Sequence, residues 1–176
     1  MTTTTATILV THHQYYLTCP DEEIIGTFDY RGFNGLVAPL GANGNLADPG
    51  MVAVVMTGTE FGNVKIILDV YDHSPGIADL DSWSEVVEFS LTPPETPLFI
   101  ATVDDMGENN LPDMSSLDPG PYRIRIHARG RDEAHQYITH HGEPIEEHLI
   151  QAWAAPLASL TCLKLSDAYG ASIRAR

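Results

Sequence analysis

Basic residues are scarce in this chain. It holds only nine Lys and Arg against 24 Asp and Glu, a formal net charge of −15 over 176 residues. A surface of that sign repels phosphate backbones and anionic headgroups, so neither nucleic acid nor a membrane is an expected partner. Cysteine is nearly absent: Cys19 and Cys162 stand far apart with no second metal-type ligand pair near either. A disulfide between them is permitted but not implied, and reduced thiols fit as well, because small secreted folds usually carry several bridges. No stretch approaches the roughly 20 apolar residues that cross a bilayer. The opening Met1-Thr2-Thr3-Thr4-Thr5 has neither a basic leader nor an apolar run, and the chain reads as cytoplasmic and bacterial.

Catalytic signatures are missing too. There is no Gly-x-Ser-x-Gly, no Gly-rich phosphate loop, and no Cys beside an obvious His in sequence. The Cys19-Pro20 pair is a lone thiol, and a lone thiol predicts little. Asp104-Asp105, and Asp79 with Asp81, are carboxylate pairs in turn-like surroundings where a solvated loop explains them. No cofactor is expected, and a binding role is favoured over catalysis.

What is present is a pattern of short apolar runs. Spacing of three and four over ten or more positions, the mark of a helix, is almost always interrupted by Gly or Pro. Nine runs read as strands instead: 6–17, 35–40, 51–57, 64–71, 85–91, 98–103, 121–130, 148–154 and 161–165. Turn chemistry separates them, as in Ala42-Asn43-Gly44-Asn45, Asp48-Pro49-Gly50, Ser74-Pro75-Gly76 and Asp118-Pro119-Gly120-Pro121. Phe61-Gly62-Asn63 lies between two β-branched runs, which makes residues 51–71 look like a hairpin. With 43% hydrophobic residues, the chain can bury a substantial core. The expected fold is all-β: one domain over residues 1–176, a two-layer antiparallel β-sandwich of eight or nine strands. Residues 131–147 are expected to form a long polar loop or a short irregular helix, and 166–176 a C-terminal extension that frays.

The clearest strand is Tyr122-Arg123-Ile124-Arg125-Ile126-His127-Ala128-Arg129. Its alternation sends Tyr122, Ile124, Ile126 and Ala128 to the core and the arginines outward. That basic stripe is read as meeting cross-strand carboxylates of its own sheet, Glu85 or Glu88, in preference to an outside anion. Five of the eight histidines fall between His127 and His148, yet none makes a metal-ligand pair at strand or helix spacing. His12, Gln14 and Tyr16 are placed on one face of the first strand, with His13, Tyr15 and Leu17 on the other.

Charge is also uneven along the chain: residues 1–120 hold 18 acids and two bases, Arg31 and Lys65, while the remainder has seven bases and six acids. Such asymmetry either serves solubility or forms an acidic face for a basic partner.

An early strand with His13-Gln14-Tyr15, then Gly35-Leu36-Val37, then a hairpin, and a late strand introduced by Pro119-Gly120-Pro121-Tyr122 follow one another in order. That order resembles the competence-nuclease inhibitor family, the ComJ-like small β-sandwich proteins. The resemblance spans residues 10 to 130, and the chain departs from it at Arg129-Gly130-Arg131-Asp132 and beyond. It implies an inhibitor or immunity-type protein that binds and blocks a partner nuclease or toxin, and the acidic excess agrees, since complementary charge speeds association with a basic active site. The expected contacts come from the acidic loops: Asp79, Asp81, Trp83, Asp104, Asp105 and Glu108. Trp83 is either the interface anchor or a core residue capping the sandwich. Two rival readings stand beside this one. One is a metal-dependent enzyme of double-sheet barrel type that uses the late histidines and Glu147. The other is a carbohydrate- or peptide-binding sandwich with an exposed row of Tyr15, Tyr16 and Trp83.

Overall fold

The computed structural model describes residues 1–20, 33–77, 79–104 and 112–176. Two β-sheets account for most of them. The larger runs in the order β1 (Thr2–Val10), β5 (Phe61–Tyr71), β10 (Glu146–Ala154), β8 (Tyr122–Arg129), β6 (Glu85–Leu91) and β11 (Thr161–Leu165), with the two-residue β9 (Thr139–His140) added beside β5. The smaller runs β3 (Val37–Leu40), β4 (Val52–Met56), β2 (Gln14–Thr18), β7 (Phe99–Ala101). Pairing is antiparallel throughout, except that β9 and β10 both run parallel to β5. The sandwich-like arrangement expected from the sequence is therefore present.

Burial explains the two kinds of strand. In β5 every second residue is buried, so Val64, Ile66, Leu68 and Val70 face inward while Lys65 and Asp69 stay on the other face. In β2, β3 and β4 nearly every residue is buried, because the small sheet is covered on both faces. On one side Tyr15, Leu17, Val37, Val55 and Ile100 join Ile8, Phe89, Ile124 and Ile150 of the large sheet in the main core. On the other, Tyr16, Val54 and Met56 pack with Phe33, Tyr169 and Ile173.

Three local expectations are corrected and one, for 131–147, is refined. The run 6–17 is two strands in different sheets, divided by a turn in which Gln14 N–H donates to Thr11 O and His12 and His13 hold φ of 57° and 59°. His12 and His13 therefore share no strand with Gln14–Leu17. The hairpin over 51–71 is absent: β4 belongs to the small sheet and β5 to the large one, and Phe61-Gly62-Asn63 lies inside β5. Glycine is required at 62 because the His140 carbonyl of β9 occupies the space a Cβ would take. The segment 131–147 holds a short helix, α1 (Arg131–Ala134), then β9 and the first residues of β10. Finally, the tail does not fray but forms helix α2 (Ala168–Arg174), where the Asp167 carboxylate accepts from Gly170 N–H at 2.6 Å and Tyr169 and Ile173, four apart, turn inward.

A buried polar node joins the sheets at one end. Glu146, the first residue of β10, accepts hydrogen bonds from Gly58 N–H, Thr59 N–H, the Thr59 hydroxyl and His148 Nε2–H, at 2.8–3.1 Å. Residues 57–60 carry the chain from the small sheet to the large one, so this carboxylate ties the crossover to β10. The Tyr15 hydroxyl of the small sheet meets His148 Nδ1 at 2.9 Å. Burial alone would raise the Glu146 carboxyl, but these donors outweigh it and hold it below the usual range. Replacing Glu146 with Ala strands several buried donors, and a loss of about 3–5 kcal/mol in urea unfolding is expected, with little change in m-value.

Candidate functional site

The basic side chains are drawn inward. Arg123 and Arg125 lie on the outer face of β8, as expected, yet both are buried. Glu88 of the neighbouring strand takes both, with Arg123 Nε donating at 2.7 Å and Arg125 Nε at 2.8 Å. Ser90 of β6 and Gln151 of β10 each accept from one of them, and connections crossing that face supply further acceptors: the Ala158 and Ser159 carbonyls for Arg123 and the Gly76 carbonyl for Arg125. Burial would raise the Glu88 carboxyl, but the two guanidinium bonds hold it below its ordinary range. Glu147 does the same work for Lys65 at 2.9 Å and Arg129 at 2.7 Å.

Arg131 opens α1 and Arg174 closes α2. Arg131, fully buried, donates to Gly35 O at 2.7 Å, stacks over Tyr169 at 4.9 Å and faces Asp167 at 3.4 Å. Arg174 donates to buried Glu85 at 3.2 Å. Desolvation, and then the nearby Asp167 charge, push the Glu85 carboxyl up despite that partner. Lys164 donates to Leu80 O at 2.9 Å. Seven of the nine bases thus have an acceptor inside the chain. Exposed Asp79, Asp81, Glu95, Asp104, Asp113, Asp118, Glu133 and Glu143 make no ion pair with any Lys or Arg among the described residues.

The expected contact residues divide. Asp79 and Asp81 are exposed on the turn Leu80–Ser82, where Asp79, at φ 53°, accepts from the Ser82 hydroxyl at 2.8 Å. That turn leads into Glu85, which pairs with Ala128 near the end of β8. Asp104 is exposed beyond β7, which runs antiparallel to β2 and so heads for the end marked by Gln14 and Met56. The strand directions therefore bring Asp79, Asp81 and Asp104 to the end of the sandwich that holds Glu146. Asp105 and Glu108 lie outside the described residues. Trp83 is only 8% exposed, with the Arg129 guanidinium 4.7 Å over its ring and His127 5.4 Å away. Its ring is largely covered, packed against these two side chains of β8.

The rival arrangements are not assembled. Tyr15 and Tyr16 are buried, so no exposed row of Tyr15, Tyr16 and Trp83 exists. No three His, Cys, Asp or Glu side chains among the described residues are placed to hold a metal ion, and Glu147 is occupied by Lys65 and Arg129. Tyr15, His148 and Glu146 are linked as an acid–base relay would be, but all are sealed from solvent and can touch no substrate. Neither Cys19 nor Cys162 forms a disulfide; Cys19 is buried, and burial followed by the Glu85 charge raises the Cys162 thiol. An open groove of about 460 Å³ lies between edge strands β3 and β11, walled by Phe33, Val37, Pro39, Leu46 and Leu165. The polar side chains at its rim, Asn34 and Asp48, are engaged with backbone groups.

Sequence reasoning weighed residues 135–143, the largely exposed segment between α1 and β10, as a polar loop and a source of histidine ligands but not as an apolar surface. The available clue was Tyr137-Ile138, an apolar pair in an otherwise polar stretch.

No family model and no curated protein matches the chain. Among solved structures, ComJ from Bacillus subtilis, described as an inhibitor of the DNA-degrading activity of NucA, is similar with a TM-score of 0.54 and 11% identity, over 86% of this chain and 96% of that one. The protein described as crocagin biosynthetic gene J gives a TM-score of 0.48 and 15% identity, over 89% of this chain and 100% of that one. The likeness to ComJ is one of fold.

The inward-facing side of the acidic loop has a pH signature. Burial lowers the pKa of His127 from 6.5 to about 4, against the opposing bond to Leu149 O. The unfolded chain then binds a proton that the folded one refuses, so stability is full above pH 6.5 and falls as pH drops towards 4. The loss is on the order of 3 kcal/mol. His127→Gln should flatten that part of the profile, as read from urea midpoints across the window.

Proposed function

We propose that this chain is a binding protein that blocks the cationic site of a partner nuclease or toxin. The observation that carries this reading is the sorting of charge: among the described residues seven bases are paired internally, and Asp79, Asp81 and Asp104 at the Glu146 end make no ion pair with Lys or Arg. An enzyme that degrades DNA must present cations to phosphates. A rigid anionic surface competes for those cations and accelerates its own docking. The fold likeness to ComJ, whose description names such a target, supports the same assignment.

In this reading Asp79, Asp81 and Asp104, together with Asp105 and Glu108, face the partner, and Trp83 holds the first pair in position. The protein acts in the cytoplasm beside its target and performs no chemistry of its own.

The test is inhibition. Purified chain is titrated into basic DNA nucleases of its host, purified singly, and cleavage of duplex DNA is followed. One nuclease should be inhibited at a stoichiometric ratio, with association slowing as salt rises because the steering field is screened. Asp79→Lys with Asp81→Lys should lower the association rate on the order of tenfold at low salt and leave dissociation nearly unchanged. Full nuclease activity at every salt concentration would sink the assignment.

A further inference from the structure

We propose that Phe61, Tyr137 and Ile138 form the apolar anchor of the inhibitory interface, with Glu60, Glu133 and Glu143 as its charged rim and a basic nuclease or toxin surface as its occupant. This rests on the reading above and gives it a location that the acidic loops alone do not supply.

These residues stand at the same end of the sandwich as the Glu146 node. Ile138 is 77% exposed, Tyr137 47% and Phe61 37%. The segment that carries them is held in place. Thr139 and His140 pair with Phe61 and Gly62 as β9, and the Asn63 amide donates to His141 O and Gly142 O at 3.3 and 3.2 Å. Phe61 meets the His141 ring at 5.1 Å, Tyr137 meets that of His140 at 5.6 Å, and His140 Nε2 lies 2.8 Å from Glu143 O. Apolar side chains on an ordered segment are pre-organised, so little ordering entropy opposes their burial against a partner. A central apolar knob inside a polar rim is the anatomy of a protein interface.

Charge selects the occupant. Glu60, Glu133 and Glu143 are exposed and make no ion pair with Lys or Arg among the described residues; Lys65 and Arg129 are taken by Glu147, and Arg131 is buried. His13 Nε2 approaches Glu60 at 3.9 Å from the sheet side. A nucleic acid or an anionic bilayer would meet this rim with like charge. So would a second copy, because a two-fold contact sets the same rim against itself. A cationic protein surface with an apolar recess satisfies both the knob and the rim.

The experiment uses the full chain and the host nuclease found to be inhibited. Tyr137→Ser and Ile138→Ser should each raise the inhibition constant at least tenfold, mainly through faster dissociation. Glu133→Lys with Glu143→Lys should chiefly slow association. Asp118→Lys, at the opposite end beside Tyr122, should stay within twofold of the parent. Thermal unfolding of each variant checks that the fold is retained, as the exposure of these side chains leads one to expect. Inhibition by the parent that survives both serine substitutions unchanged overturns this anchor but leaves the inhibitor reading intact. A parent that inhibits no nuclease overturns both. A dimer of the free chain in light scattering that Ile138→Ser dissociates would assign the knob to self-association and likewise overturn the proposal.

Discussion

The Glu146 carboxylate, buried without access to water, is the constraint on which one whole end of the molecule depends. A buried anion persists only when its lone pairs are filled, and here the crossover from β4 to β5 supplies three of the donors and β10 the fourth. The small sheet is thereby tied to the large one at a fixed point, and Tyr15, reaching His148 from β2, closes the circuit. Beside it the Arg131–Asp167 and Arg174–Glu85 contacts seat α2 against the same end. Such clusters add little net stability compared with apolar packing of equal volume. What they contribute is a single arrangement, and therefore a rigid base for the segments that project from it.

The same pairings decide the sign of the surface. Each Arg satisfied by an interior or half-buried carboxylate is a cation removed from the outside. Glu88 and Glu147 alone absorb four of the nine bases. The excess negative charge in the composition is thus not spread evenly through the fold but expressed on loops and turns, where it acts at a distance. On the proposed reading, fold stability and partner selection are linked through the fate of the arginines.

How far this could be read from the sequence depended on whether the responsible interaction was local. Alternation along Tyr122–Arg129 placed its inward face correctly and narrowed the arginines' partner to Glu85 or Glu88, of which Glu88 is the one used, because cross-strand neighbours follow from pleat and order. The burial of those arginines was not legible, since it comes from the connections 72–84 and 155–160 crossing the outer face, a matter of topology. The split of residues 6–17 was hidden by His12 and His13, which adopt the left-handed conformation that Gly or Asn would have announced. Likewise the supposed hairpin at Phe61-Gly62-Asn63 failed because Gly62 serves a close approach by β9 and not a turn. The acidic loops were visible as composition; that Asp81 and Asp104 share an end required both strand orders. Trp83 was open between anchor and core until Arg129 was seen stacked on its ring.

Similarity of fold at 11% identity has a specific physical meaning for function. Alternating apolar strands and satisfied buried polar groups can be met by many sequences, so a scaffold outlasts nearly all its side chains. Contact residues answer to a different constraint, the shape and charge of one partner, and they sit on loops that the scaffold tolerates in many forms. The ComJ likeness therefore extends to the sandwich and not to any particular exposed residue. In the proposed inhibitor, long-range attraction and short-range fit fall to different side chains: carboxylates on several loops set the rate of encounter, while the proposed apolar knob on one ordered segment sets how long the encounter lasts. Because charge acts over a Debye length and packing only over contact distance, the first function tolerates drift in position along the end of the sandwich and the second does not.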